Sequence, residues 1–99
     1  MWYAVMSEDV ENSLPMRLKT REAHLSRLRA LAADGRLLVA GPHPAIDAED
    51  PGSAGFTGSL VIVDFPSLDD AETWAKADPY LEAGVYSKVL VKPFRRVLP

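Results

Sequence analysis

The chain has 99 residues, 47% hydrophobic and 25% charged, so it has room for one core and little else. Eleven basic against fourteen acidic side chains give a net charge of -3, without the basic surplus that phosphate backbones demand, which argues against a nucleic-acid partner. No cysteine is present, which removes thiolate catalysis, Cys-based metal or iron–sulfur sites and disulfides; no apolar run approaches the roughly 20 residues of a membrane span. The acidic Ser7-Glu8-Asp9 behind Met1–Met6 is unlike a signal peptide, and the expectation is a single domain over residues 1–99, cytoplasmic and without membrane contact.

In chain order, Trp2–Met6 is short and bulky and predicts a first strand. From Leu14 the spacing turns helical: at 100° per residue Leu14, Leu18, Leu25, Leu28, Leu31 and Ala32 share an arc of about 140°. Asp34-Gly35 ends that helix, and Arg36–Ala40 predicts a second strand closed by Gly41-Pro42. Residues 41–55, with Pro42, Pro44, Pro51, Gly52 and Gly55, predict a long loop. Gly58–Phe65 is the strongest strand signal, and Ser67 followed by Asp70 caps a second helix through Ala77. Asp78-Pro79 opens a short stub, and Val85–Val91 is the last strand. The order βαββαβ is the split βαβ, or ferredoxin-like, α+β pattern, with both helices on one face of the sheet. Strand three is apolar on both faces, at Leu60 and Ile62 and at Val61, Val63 and Phe65, so the second face needs a cover. An identical sheet is the simplest one, and a homodimer is expected.

Three polar residues interrupt the apolar stripe of the first helix. With His24 at 0°, Arg17 lies at about 20° and Arg21 at about 60° on the wheel, where a plain amphipathic helix would carry leucine. They could be a hydrogen-bonded boundary histidine and two arginines snorkelling to water, or the lining of a site. Asp78 is the second anomaly, a carboxylate at the negative end of a helix, unless it caps the stub that Pro79 begins. Antiparallel helices bring Asp78 toward His24, and a carboxylate on an imidazole fixes its tautomer for proton transfer. Arg17 and Arg21 would hold a small anionic ligand, and Ser59 could add a hydroxyl donor. Helix one offers the arginines few acidic partners, because Glu22 lies near 160°. His43 reads as a loop residue, Asp47, Glu49 and Asp50 as a solvated face, and Trp2 and Trp74 as core anchors. No phosphate loop, dinucleotide fingerprint, metal box or nucleophile elbow occurs, and the chemistry needs no cofactor.

These residues resemble the YciI-like (YCII-related) family. The resemblance runs through Ser13-Leu14-Pro15, Arg17-Leu18, Arg21-Glu22-Ala23-His24-Leu25, Asp34-Gly35-Arg36-Leu37-Leu38, Ala40-Gly41-Pro42, Asp50-Pro51-Gly52, Gly55-Phe56-Thr57-Gly58-Ser59, Ala77-Asp78-Pro79-Tyr80, Ala83-Gly84-Val85-Tyr86 and Val91-Lys92-Pro93-Phe94. It implies a dimeric α/β barrel of ferredoxin-like subunits and an active site on a His-Asp pair, which matches His24 and Asp78, with phosphorylation of that histidine as another role. A related enzyme type removes chloride from a chlorinated trihydroxybenzene, and the wider superfamily includes muconolactone isomerases and monooxygenase-like proteins. Glu22 stands where a proline often precedes Ala-His in the family. The expected function is acid–base chemistry, by elimination, dehydrochlorination or isomerisation, on a small anionic or aromatic metabolite. A dimer that binds such a ligand without turnover is the alternative.

Overall fold

A computed structural model describes residues 1–99. The elements are β1 (Trp2–Asp9), α1 (Leu14–Ala33), β2 (Leu37–Pro44), β3 (Phe56–Asp64), α2 (Leu68–Lys76), α3 (Pro79–Glu82) and β4 (Tyr86–Phe94), with a single 3-10 turn at Gly52–Ala54. The four strands form one sheet in the order β2-β3-β1-β4, and every neighbouring pair is antiparallel. Each helix crosses between strands that are not neighbours, β1 to β2 and β3 to β4, which is the ferredoxin-like α+β arrangement the sequence predicts.

Register decides which side chains meet the helices. Tyr3, Val5 and Ser7 pair with Val63, Val61 and Ser59, and on the other side Val5 pairs with Val91. This face packs with Leu28 and Leu31 of α1 and Ala75 of α2 into the core. Val63 is fully buried there, and such a side chain contributes about 1.5–3 kcal/mol. The opposite face carries Ala4, Met6, Leu60 and Ile62, joined by Val39 and Leu90, which remain 49% and 41% exposed.

Local signals act where expected. Gly35 ends α1 at φ +71°, a left-handed position glycine adopts without strain, and the Ser67 hydroxyl accepts the Asp70 N–H at 3.1 Å at the start of α2. Gly58 has a different reason: a Cβ there would lie 2.1 Å from the Ser7 carbonyl oxygen, so only a bare backbone lets β3 close on β1.

All four strands have boundaries that differ from the sequence reading. β1 continues past Met6 to Asp9, because its alternation of inward side chains persists through Ser7. β2 starts at Leu37 and runs through Gly41-Pro42 to Pro44. It is an edge strand bonded only to β3, where a proline lacking N–H costs no ladder bond on the free side. The long loop is therefore shorter than the predicted 41–55. β3 begins two residues early, at Phe56. β4 begins at Tyr86 and runs past Val91 through Pro93 to Phe94, an edge strand paired only with β1, where proline is tolerated.

Candidate active site

Arg17, His24, Leu28 and Leu31 are the buried residues of α1, so His24 sits in the middle of the buried face and not at its edge. The leucines on one flank of the stripe turn elsewhere: Leu14, Leu18 and Leu25 line a cleft of about 290 Å³ between α1 and the β2–β3 edge. A volume of that order suits a small molecule. Arg21 and Leu18 are exposed, and the cleft wall is completed by Pro42, Phe56, Ser59, Tyr80 and others, with His24 and Arg17 reaching it from α1.

The His24 Nδ1 lies 2.8 Å from Asp78 Oδ1. That same carboxylate oxygen accepts the Tyr80 N–H at 2.9 Å, so Asp78 both caps α3 and holds the imidazole. A carboxylate accepting both bonds makes Nδ1 a protonated nitrogen, so in the neutral imidazole the lone pair lies on Nε2, which bonds to no protein group. Tyr80 stacks on the imidazole with ring centroids 3.9 Å apart and planes 7° from parallel, and Tyr86 meets it edge-on at 6.5 Å. The ring is thus fixed in plane and in tautomer.

Arg17 is held quite differently. Its Nε and Nη2 donate to the two Asp9 carboxylate oxygens at 2.6 and 2.9 Å, and Nη2 also reaches the Gly58 carbonyl at 3.0 Å and Ser59 Oγ at 2.9 Å. Its guanidinium carbon lies 5.1 to 5.9 Å from the ring centres of Phe56, Tyr80 and Tyr86. Burial works against the Arg17 charge, but the Asp9 bonds and charge outweigh it and hold its pKa above the usual arginine value. Burial likewise pushes the Tyr80 and Tyr86 phenols up, against the nearby Arg17 charge, so both stay protonated donors. Tyr80 donates to the Arg17 carbonyl at 3.2 Å and Tyr86 to Ser59 Oγ at 3.0 Å.

The two arginines therefore part company. The expectation that neither finds an acid fails for Arg17, because Asp9 arrives from β1, an element the helical wheel does not contain. Arg21 has no ion pair and borders the cleft. Glu22 pairs with Arg29 on the solvent side at 2.6 Å, away from the polar line, as its wheel position requires. His43 lies near the end of β2, opposite Gly58 and outside the cleft. Asp9, Tyr80 and Tyr86 are the participants that sequence reasoning missed. The period-2 pattern Tyr3, Val5, Ser7, Asp9 would have found Asp9 had the strand been extended.

The chain is similar to several known proteins. An uncharacterised protein of Haemophilus influenzae is 56% identical over 97 residues, covering 98% of this chain and 99% of its own. Protein YciI of Escherichia coli is 57% identical over 97 residues with the same coverage. Among solved structures, 5-chloro-2-hydroxyhydroquinone dehydrochlorinase (TftG) of Burkholderia phenoliruptrix, in complex with 2,5-dihydroxybenzoquinone, superposes with a TM-score of 0.83 at 26% identity, over 96% of this chain and 94% of that one. The model of the YCII-related domain matches residues 1–95, and the chain belongs to that family.

Proposed function

We propose that the cleft is the active site of a small-molecule enzyme in which His24 is the general acid–base and Asp78 its orienter. The observation that carries this reading is the 2.8 Å contact between Nδ1 and Asp78, which leaves an unpartnered Nε2 beside a cleft of small-molecule size. Nε2 takes a proton from an acidic O–H or C–H of the substrate. The freed electron pair forms a new π bond, and either a leaving group departs with its bonding pair or the proton returns at another carbon. Elimination and isomerisation share this first step. Apolar walls of Leu14, Leu25, Phe56 and Val61 suit a ring, and Arg21 and Ser59 suit an anionic or carbonyl oxygen on it. Arg17 lines the cleft with its Nε and Nη2 bound within the protein and only Nη1 without a protein partner. The similarity to a dehydrochlorinase supports a hydroxylated aromatic or enolisable substrate.

Chloride release from 5-chloro-2-hydroxyhydroquinone tests the reading. The parent should turn it over, and His24→Gln and Asp78→Asn should each lose at least about a hundredfold in rate while their melting midpoints stay within about 10 °C of the parent. A parent that neither turns over this ring nor binds 2,5-dihydroxybenzoquinone would end the proposal. Binding without turnover, insensitive to Asp78→Asn, would favour a binding protein, which needs Arg21 and Ser59 but not the pair.

The same proposal includes a homodimer packed through the open face of the sheet. The register lines up Met6, Leu60, Ile62, Val39 and Leu90 there, more apolar surface than a solvated sheet face carries. Light scattering should give about twice the 10.8 kDa chain mass, and Leu90→Glu with Val39→Glu should return it to one. A parent that runs as a monomer at micromolar concentration would remove the dimer.

A further inference from the structure

Ser59 is a hydroxyl with unusual surroundings. It is 4% exposed, it faces the helices from β3, and it lines the cleft. A serine oxygen has two acceptor positions and one hydrogen to give. Arg17 Nη2 fills one acceptor position at 2.9 Å, and a guanidinium can only donate. Tyr86 fills the other at 3.0 Å. Between two hydroxyls the direction follows acidity: a phenol is the stronger donor and, with its lone pair shared into the ring, the weaker acceptor. Burial keeps Tyr86 protonated, and the Ser7 hydroxyl also bonds Tyr86 in the sense of a donor to the phenol oxygen, so the relay Ser7 to Tyr86 to Ser59 keeps that direction. Ser59 then gives its hydrogen to no protein group.

We infer that Ser59 is the donor that receives the ligand's oxygen, locked in that polarity by Arg17 and Tyr86, so that the cleft selects ligands with an acceptor oxygen. A quinone or enolate carbonyl, a phenolate and a carboxylate all qualify. The inference rests on the reading of the cleft as a substrate site and deepens it. The charged bond from Arg17 polarises the hydroxyl and strengthens what it gives. Opposite in character, His24 Nε2 is an acceptor. The cleft thus offers an acceptor at His24 and a buried neutral donor at Ser59, with the Arg21 guanidinium at its border, and the complementary ligand is a conjugated unit carrying both a removable proton and an acceptor oxygen. A ligand group with only hydrogens to give, such as an ammonium, meets a buried donor and leaves both unpaired, the situation that supports the strongest discrimination.

Neutron diffraction from deuterium-exchanged crystals of the unliganded protein reads the polarity directly. The Ser59 deuteron should point into the cleft and the Tyr86 deuteron toward Ser59 Oγ. A Ser59 deuteron on the line to Tyr86 Oη overturns the inference. Calorimetric titration supplies a second reading with 2,5-dihydroxybenzoquinone as probe: Ser59→Ala should weaken binding about tenfold or more, and Arg17 keeps its Asp9 and Gly58 bonds in that variant. Equal affinity in Ser59→Ala and the parent also overturns it. Should the parent bind no such ring while the deuteron points into the cleft, the ring substrate is wrong and the donor polarity stands.

Discussion

Helix α1 makes two buried side-chain contacts with carboxylates, built to opposite ends. Arg17 and Asp9 have side chains 7% and 1% exposed, His24 and Asp78 8% and 10%, so burial does not distinguish them. The number of bonds does. Four hydrogen bonds from Nε and Nη2 and three aromatic rings hold Arg17, with only Nη1 unpartnered, and Asp9 takes a further bond from Ser13 at 2.5 Å. His24 makes one bond, to Asp78, and its Nε2 meets no protein group. A buried polar group bonded to several elements ties them together, here β1, β3 and α1, whereas one with a single bond has more of its capacity left for something that comes and goes. A third pair on the same helix, Arg29 with Glu22, is 61% and 80% exposed and does neither.

The sharpest way to break the comparison is Arg17→Met. It leaves the Asp9 carboxylate buried without its counter-charge, so unfolding free energy should fall by about 3–5 kcal/mol, a loss of about 10 °C or more in melting midpoint for a domain of this size. A loss as small as that of Asp78→Asn would mean that the two pairs are alike and the distinction drawn from the number of bonds is wrong.

A smaller effect concerns Tyr86, a member of the network around Arg17. Its folded pKa is raised above the ordinary value of 10.0 chiefly by burial. Above that pH the unfolded phenol loses its proton and the folded one does not, so the unfolded state binds fewer protons and stability falls as pH rises. Urea titrations from pH 7 to 11 should show the parent losing stability above about pH 10. Tyr86→Phe should begin about 1 kcal/mol lower at neutral pH, for its lost bond to Ser59, and decline less steeply. Parallel curves would show that this phenol plays no part in the alkaline loss.

Smallest of all, Glu22→Ala should change stability by no more than about 0.5 kcal/mol in either direction. A larger loss in chemical denaturation would mean that exposed charge on α1 matters more than its geometry suggests.

The amino-acid sequence by itself determined the order of elements, the inward stripe of α1, the two helix ends at Gly35 and Ser67, and the meeting of His24 with Asp78. All of these rest on local periods and caps or on the antiparallel packing a split βαβ unit imposes. Asp78 shows the reach and the limit of such reading, since the cap and the histidine contact were weighed as alternatives and one carboxylate oxygen performs both. The tertiary structure alone decided which arginine is paired with an acid and which is not. Arg17 and Arg21 differ by only about 40° on the helical wheel, and nothing along α1 separates them. Asp9, Ser59, Tyr80 and Tyr86 reach Arg17 from β1, β3, α3 and β4, and contacts between elements far apart in the chain are fixed by strand register, which a helical period cannot express.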